Sequence, residues 1–93
     1  MIEAQADLEE SREIRIKRLT MRSMRRGIKE MDILLSGFAA ANLAEMTDAQ
    51  LDEYDHLLRE NDQDLYQWVT GQVAPPSPYE DLIREVAQTH QNK

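Results

Sequence analysis

From Ile28 onward, apolar residues recur at helical spacing. Ile28, Met31, Leu34, Leu35 and Phe38, with Ala41 and Asn42 on the same face, predict a helix over residues 28–44. Glu30 and Asp32 fall in its first turns, where exposed N–H groups favour anions. Ser36-Gly37 lies mid-pattern. Glycine there costs about 1 kcal/mol relative to alanine, so a close helix approach or a bend at Gly37 is expected. Thr47-Asp48-Ala49-Gln50 reads as a capping box. It opens a helix that runs to about Arg59 and buries Leu51, Tyr54, Leu57 and Leu58. Asn61-Asp62-Gln63-Asp64 starts another, with Leu65, Trp68 and Val69 as its apolar edge and Gly71 as its stop. That helix is short, and burial of Trp68, on the order of 2–3 kcal/mol, is expected to stabilise it. Val73-Ala74-Pro75-Pro76 reads as an extended linker. Ser77-Pro78-Tyr79-Glu80 then offers a serine cap, a proline at the first helical position and a glutamate three residues after the cap. Tyr79, Leu82, Ile83 and Val86 carry the last stripe, and the helix is expected to fray across Gln88–Lys93.

Upstream the pattern is weaker. Ile14, Met21 and Met24, with Ile16 and Leu19 nearby, form an imperfect stripe over residues 11–25, and Ser11 is a candidate N-cap. Arg25 and Arg26 would occupy the last turn, where cations suit the carbonyl end of the dipole. Gly27 would follow it, where a left-handed backbone is commonest. The competing reading is one continuous helix, because Ile14, Met21, Ile28 and Leu35 keep a seven-residue spacing. Residues 1–10 show no stripe and read as a mobile acidic extension that is able to lie over the basic segment. The pattern as a whole predicts an all-α fold: a single small bundle of about five helices over residues 11–91.

Composition narrows this picture. The 93 residues suffice for one domain with one modest core. The absence of cysteine removes disulfides, thiolate metal sites and Cys nucleophiles, and fits a reducing compartment. No apolar run approaches the roughly 20 residues of a membrane span. The N-terminus lacks a signal pattern, and its acidity opposes a mitochondrial transit peptide. A cytoplasmic location in a bacterium is the resulting expectation. The net charge of −7 hides an asymmetry, since eight of the 11 basic residues (Arg12, Arg15, Lys17, Arg18, Arg22, Arg25, Arg26, Lys29) fall between positions 12 and 29. Either this dipolar chain docks in one orientation on a charged partner, or its two halves face each other across the fold.

Candidate chemistry is sparse. His56 and His90 lack partners at metal-ligand spacing. Asp52, Glu53, Asp55 and Glu60 around His56 offer at most a weak divalent site, and a solvated acidic face accounts for them far better. There is no phosphate-binding glycine loop, and Ser11, Ser23 and Ser36 have no base nearby in sequence. An enzyme is not expected. The basic segment would suit phosphates but has no aromatic stacking residue and no Asn or Gln for reading bases, so nucleic acid is not the expected partner. Arg26 and Glu30 stand four apart with the cation first, worth only about 0.2–0.5 kcal/mol even in the better orientation. Ordinary helix-end rules explain these residues without any function.

Arg25-Arg26-Gly27-Ile28-Lys29-Glu30-Met31-Asp32 nevertheless resembles the Arg-Gly-x-x-Glu signature of the SdhE family, the succinate dehydrogenase assembly and flavinylation factors. The likeness extends over roughly residues 14–88. It includes Leu57-Leu58-Arg59-Glu60-Asn61-Asp62-Gln63-Asp64-Leu65-Tyr66-Gln67-Trp68, which is similar to the family's Leu-Leu-x-x-x-Asp-x-Asp-Leu-x-x-Trp pattern. The family often has proline between the two acids, where this chain has Gln63. The resemblance implies a five-helix domain that binds the flavoprotein subunit of succinate dehydrogenase, and often that of fumarate reductase. It implies aid to covalent attachment of FAD to a histidine of that client, with no cofactor of the chain's own. Arg26, Gly27 and Glu30 would be the contact core, with Arg25 and Asp32 as neighbours. Gly27 would admit a close backbone approach and Arg26 a bidentate contact with a client carboxylate. The chain would act as a monomer, although a Met21/Met24 edge is able to pair two copies. An antitoxin-like helical interaction module is the alternative.

Overall fold

A computed structural model describes residues 10–91. Residues 1–9 of the expected extension and residues 92 and 93 lie outside the described residues. Five α-helices follow in order: α1 (Arg12–Arg22), α2 (Lys29–Asn42), α3 (Asp48–Leu57), α4 (Asp62–Val69) and α5 (Glu80–Gln91). Two 3-10 turns, Leu43–Glu45 and Ser77–Tyr79, join α2 to α3 and α4 to α5. Among the described residues there is no strand, and no helix is long and apolar enough to cross a membrane.

Helix α2 is the central element. It packs against α1, α4 and α5 and buries Met31, Leu34, Leu35, Phe38 and Ala39. The expected face is thus nearly right, but Ala39 replaces Ala41, which is exposed. The helix passes through Gly37 unbroken. Phe38 meets Tyr54 of α3 with ring centroids 5.3 Å apart, and Leu51 and Leu57 complete that helix's buried side. From α5, Leu82, Ile83 and Val86 close the core.

The capping chemistry holds at three starts and fails at one. At α1, Ser11 Oγ accepts from the Ile14 N–H at 3.1 Å. Thr47 and Gln50 form the reciprocal box at α3, at 3.2 and 2.8 Å. At α4, Asn61 Oδ1 accepts from the Gln63 N–H at 2.7 Å. Gly71, at φ 83°, then stops the helix. Its N–H donates to the Trp68 carbonyl, and the Gln72 N–H to the Gln67 carbonyl, which is a Schellman ending. Ser77, by contrast, makes no cap. It lies inside the 3-10 turn after Pro76, and α5 begins only at Glu80. Helix α5 also continues to Gln91 rather than fraying from Gln88. Trp68 contributes less burial than expected. It is half-buried against Tyr79 (centroids 6.0 Å), and the fully buried residue of α4 is Leu65.

Helix α1 departs most from its pattern. Ile14 and Met21 are 58% and 63% exposed, and Leu19 is the helix's one fully buried side chain. Charge attaches it instead. Arg12 pairs with Asp48 (3.0 Å), Arg15 with Asp52 and Arg22 with Asp55, and Arg18 reaches Asp55 at 3.6 Å. Arg12 also donates to the Ala44 and Met46 carbonyls. The arginines at 12, 15, 18 and 22 and the aspartates at 48, 52 and 55 each follow one face of their helix, so the two faces meet as a ladder. Exposed pairs contribute about 0–1 kcal/mol each, so a series of part-buried ones is needed to hold a helix. At its start, Glu10 accepts two bonds from Arg18, at 2.9 and 3.2 Å, which hold its carboxyl below the usual glutamate range. Burial alone would raise Asp55, but the hydrogen bond and charge of Arg22 outweigh it and lower the group.

Candidate docking site

Helix α1 does end before Gly27, but three residues earlier than the arginines of the last turn require. Its last residue is Arg22, and Ser23 caps it. The cap is a tertiary product. Ser23 is fully buried, and its hydroxyl donates to the Leu19 carbonyl (2.8 Å) and accepts from the Tyr54 hydroxyl (2.5 Å). Burial pushes the Tyr54 phenol up to about 12, so it stays a donor. The Ser23 carbonyl in turn accepts from Ser36 of α2 at 3.4 Å. One serine thus ties the end of α1 to α2 and α3.

The residue in the left-handed region is Arg25, at φ 58°, not Gly27. A non-glycine residue there costs about 1–2 kcal/mol and requires outside support. Arg26 supplies it. Its Nε and Nη2 lie 2.8 and 2.7 Å from Asp62 Oδ1. Nη1 donates to the Arg22 and Leu58 carbonyls at 3.3 and 3.2 Å, and Nη2 to the Glu60 carbonyl at 3.4 Å. The Arg26 side chain is only 13% exposed. The carboxylate that Arg26 meets therefore belongs to its own chain. Asp62 Oδ2 also accepts the Gly27 N–H at 2.6 Å. A Cβ built on Gly27 would come within 3.1 Å of that oxygen, so the glycine lets the loop close onto Asp62.

The five sequence-predicted site residues therefore separate. Arg26 is internal and locks the loop, whereas Arg25, Gly27 and Glu30 are exposed. Asp32 is half-buried and accepts from Ser36 at 3.2 Å, supporting α2's first turns rather than facing outward. Arg26 pairs with Asp62, not Glu30. Asp62 was overlooked as part of the site although it stands in the Asp-x-Asp stretch, because its partner is 36 positions away. Also overlooked was a groove of about 390 Å³ between α2, α4 and α5. Buried Leu34 and half-buried Tyr66, Val69 and Ala87 line it, with Glu30 and His90 among its exposed residues.

Other candidate groups make contacts within the fold. Asp52 and Asp55 are engaged by arginines, and the His56 Nδ1 lies 2.8 Å from the Asp52 carbonyl. Among the described residues no three ligating side chains converge on a metal position. Of the eight basic residues between positions 12 and 29, Arg12, Arg15, Arg18 and Arg22 pair with α3 and Arg26 with Asp62 of α4. Among the described residues Lys17, Arg25, Lys29 and Arg59 have no carboxylate partner. The two oppositely charged segments do face each other within the fold.

Residues 17–90 match the sequence model of a family described as "Flavinator of succinate dehydrogenase". The chain is 60% identical over 53 residues to a mitochondrial succinate dehydrogenase assembly factor 2 of Candida glabrata, covering 57% of this chain and 35% of that protein. Proteins of the same description from Kluyveromyces lactis and Saccharomyces cerevisiae are 54% and 43% identical over 81 and 82 residues, 82% of this chain and 50% of each relative. The chain thus spans between about a third and half the length of these relatives. They are mitochondrial proteins of fungi, which overturns the expectation of a bacterial cytoplasmic chain.

Proposed function

The chain belongs to the family of succinate dehydrogenase flavinators, and on that premise we propose that it binds the flavoprotein subunit of succinate dehydrogenase and promotes covalent attachment of FAD to it. The observation that carries this reading is the locked loop. Arg26 and the Gly27 N–H tie the loop between α1 and α2 to Asp62 at the start of α4, and Gly27, Glu30 and the left-handed Arg25 are exposed around it. A surface that is rigid before contact loses little entropy on binding.

The chain acts without catalysing the bond. In this reading FAD belongs to the client. Binding one arrangement of the client more tightly than others shifts its population toward that arrangement, by as much as the difference in affinity. The flavin–protein bond then forms within the client. Arg25 offers a cation and Glu30 an anion, Gly27 lets the loop close onto Asp62, and Arg26, Asp62 and Asp32 keep the surface in place.

Co-expression with the flavoprotein subunit tests this. Flavin fluorescence that survives denaturing electrophoresis is expected with the chain present and weak without it. Glu30→Ala, on an exposed side chain, is expected to reduce it with folding intact. Equal fluorescence with and without the chain would refute the proposal.

A further inference from the structure

The groove between α2, α4 and α5 starts at the docking loop, because Glu30 belongs to both. Its volume of about 390 Å³ falls in the range of ligand pockets, about 300–1,000 Å³. Glu30 is its acidic lining residue and His90 its basic one. The Glu30 carboxylate has no cationic partner among the described residues. Tyr66 and Val69 belong to the last turn of α4, and Ala87 and His90 to the end of α5. Beside Glu30 lies apolar surface from Leu34, Tyr66, Val69 and Ala87.

We infer that this groove receives a segment of the client in which an apolar side chain stands beside a lysine or arginine. The apolar group packs against Tyr66, Val69 and Ala87, and the cation meets Glu30. An acidic segment would face like charge there, and a purely apolar one would leave Glu30 without a partner. The inference rests on the docking reading above and extends it by naming the chemistry of the bound segment. It makes the exposed loop and the groove one continuous surface, in which the loop sets position and the groove adds specificity.

The cysteine-free sequence gives a direct test. A photoreactive maleimide on Ala87→Cys, irradiated with the purified flavoprotein subunit and mapped by mass spectrometry, is expected to label a segment with an apolar residue within four positions of a lysine or arginine. Ala87→Trp, which fills the groove, is expected to weaken binding at least about tenfold. Glu30→Gln is expected to weaken it about three- to tenfold, with a smaller dependence on salt than the unsubstituted chain shows. Should Ala87→Trp fail to fold, Thr70→Arg places a cation on the exposed rim and is expected to weaken binding in the same way. Labelling confined to an acidic segment, or a folded Ala87→Trp or Thr70→Arg chain that binds normally, overturns the inference. If binding is normal in those variants but lost in Arg25→Glu, the groove reading fails and the loop reading stands. If the unsubstituted chain does not bind the flavoprotein at all, both fail.

Discussion

Replacing Asp62 by alanine removes three contacts at once: both Arg26 approaches to Oδ1 and the Gly27 N–H bond to Oδ2. Hydrogen bonds to charged groups contribute about 1.5–3 kcal/mol each. They do not add fully here, since water is able to replace the Gly27 contact at the surface. Arg26, at 13% exposure, is less easily rehydrated and keeps three carbonyl acceptors but no counter-charge. The expected loss is about 2–4 kcal/mol, a large share of the roughly 5–14 kcal/mol expected for a chain this size. It should lower Tm by about 10–20 °C. Urea unfolding followed by circular dichroism measures it. Trp68, the single tryptophan and a residue of the helix that Asp62 begins, gives a second, local signal. A double-mutant cycle with Arg26→Met should give a coupling of about 1.5–3 kcal/mol. A coupling below about 0.5 kcal/mol, with Asp62→Ala costing under about 1 kcal/mol, would show that the loop is held by something else and would refute the reasoning.

The two glycines flanking this region should behave differently. Gly27→Ala is expected to stay within about 1 kcal/mol in urea unfolding, because its backbone is not left-handed and the obstacle is one carboxylate oxygen at 3.1 Å, and to weaken client binding only as far as the displaced Asp62 loosens the loop. Gly71→Ala should cost about 1 kcal/mol or more, through its φ of 83°, and leave binding unchanged. Arg25→Gly should stabilise the fold by about 0.5–1 kcal/mol in the same assay by relieving the left-handed backbone, and should reduce covalent flavin yield. In acid, Glu10 and Asp55 have folded-state pKa values below their unfolded ones. Their stabilisation is therefore present above the unfolded values and lost as pH falls through the folded ones. Thermal melts from pH 6 to pH 3 should show that decline, and Asp55→Asn should flatten it. In alkali the Tyr54 phenol, raised to about 12, should ionise later than a free tyrosine, with stability falling between pH 10 and pH 12, as absorbance at 295 nm against pH checks.

Much of the fold was legible in the chain because its determinants are local. The face of α2, the Thr47/Gln50 box, the Asn61 cap and the Gly71 stop all act within a few positions of themselves, and each stands where the pattern put it. Ser77 misled because the two prolines before it and the one after it favour a tighter turn than a helix cap. The approximate position of the docking loop was legible too, from charge and the one glycine between Arg26 and Ile28.

What that loop is made of was not. Sequence alone made Gly27 the left-handed stop and Arg25 and Arg26 the last turn of a helix. The fold ends that helix at Arg22, turns at Arg25 and draws Arg26 inward. The cause lies far along the chain: Tyr54 takes Ser23, and Asp62 takes Arg26 and Gly27. Periodicity shows which residues share a face, but not which distant carboxylate a buried guanidinium will find. The α1 arginines make the same point. Their spacing displayed a basic stripe, and only packing against α3 decided that most of it would be neutralised inside the molecule while Arg25, Gly27 and Glu30 remain outside.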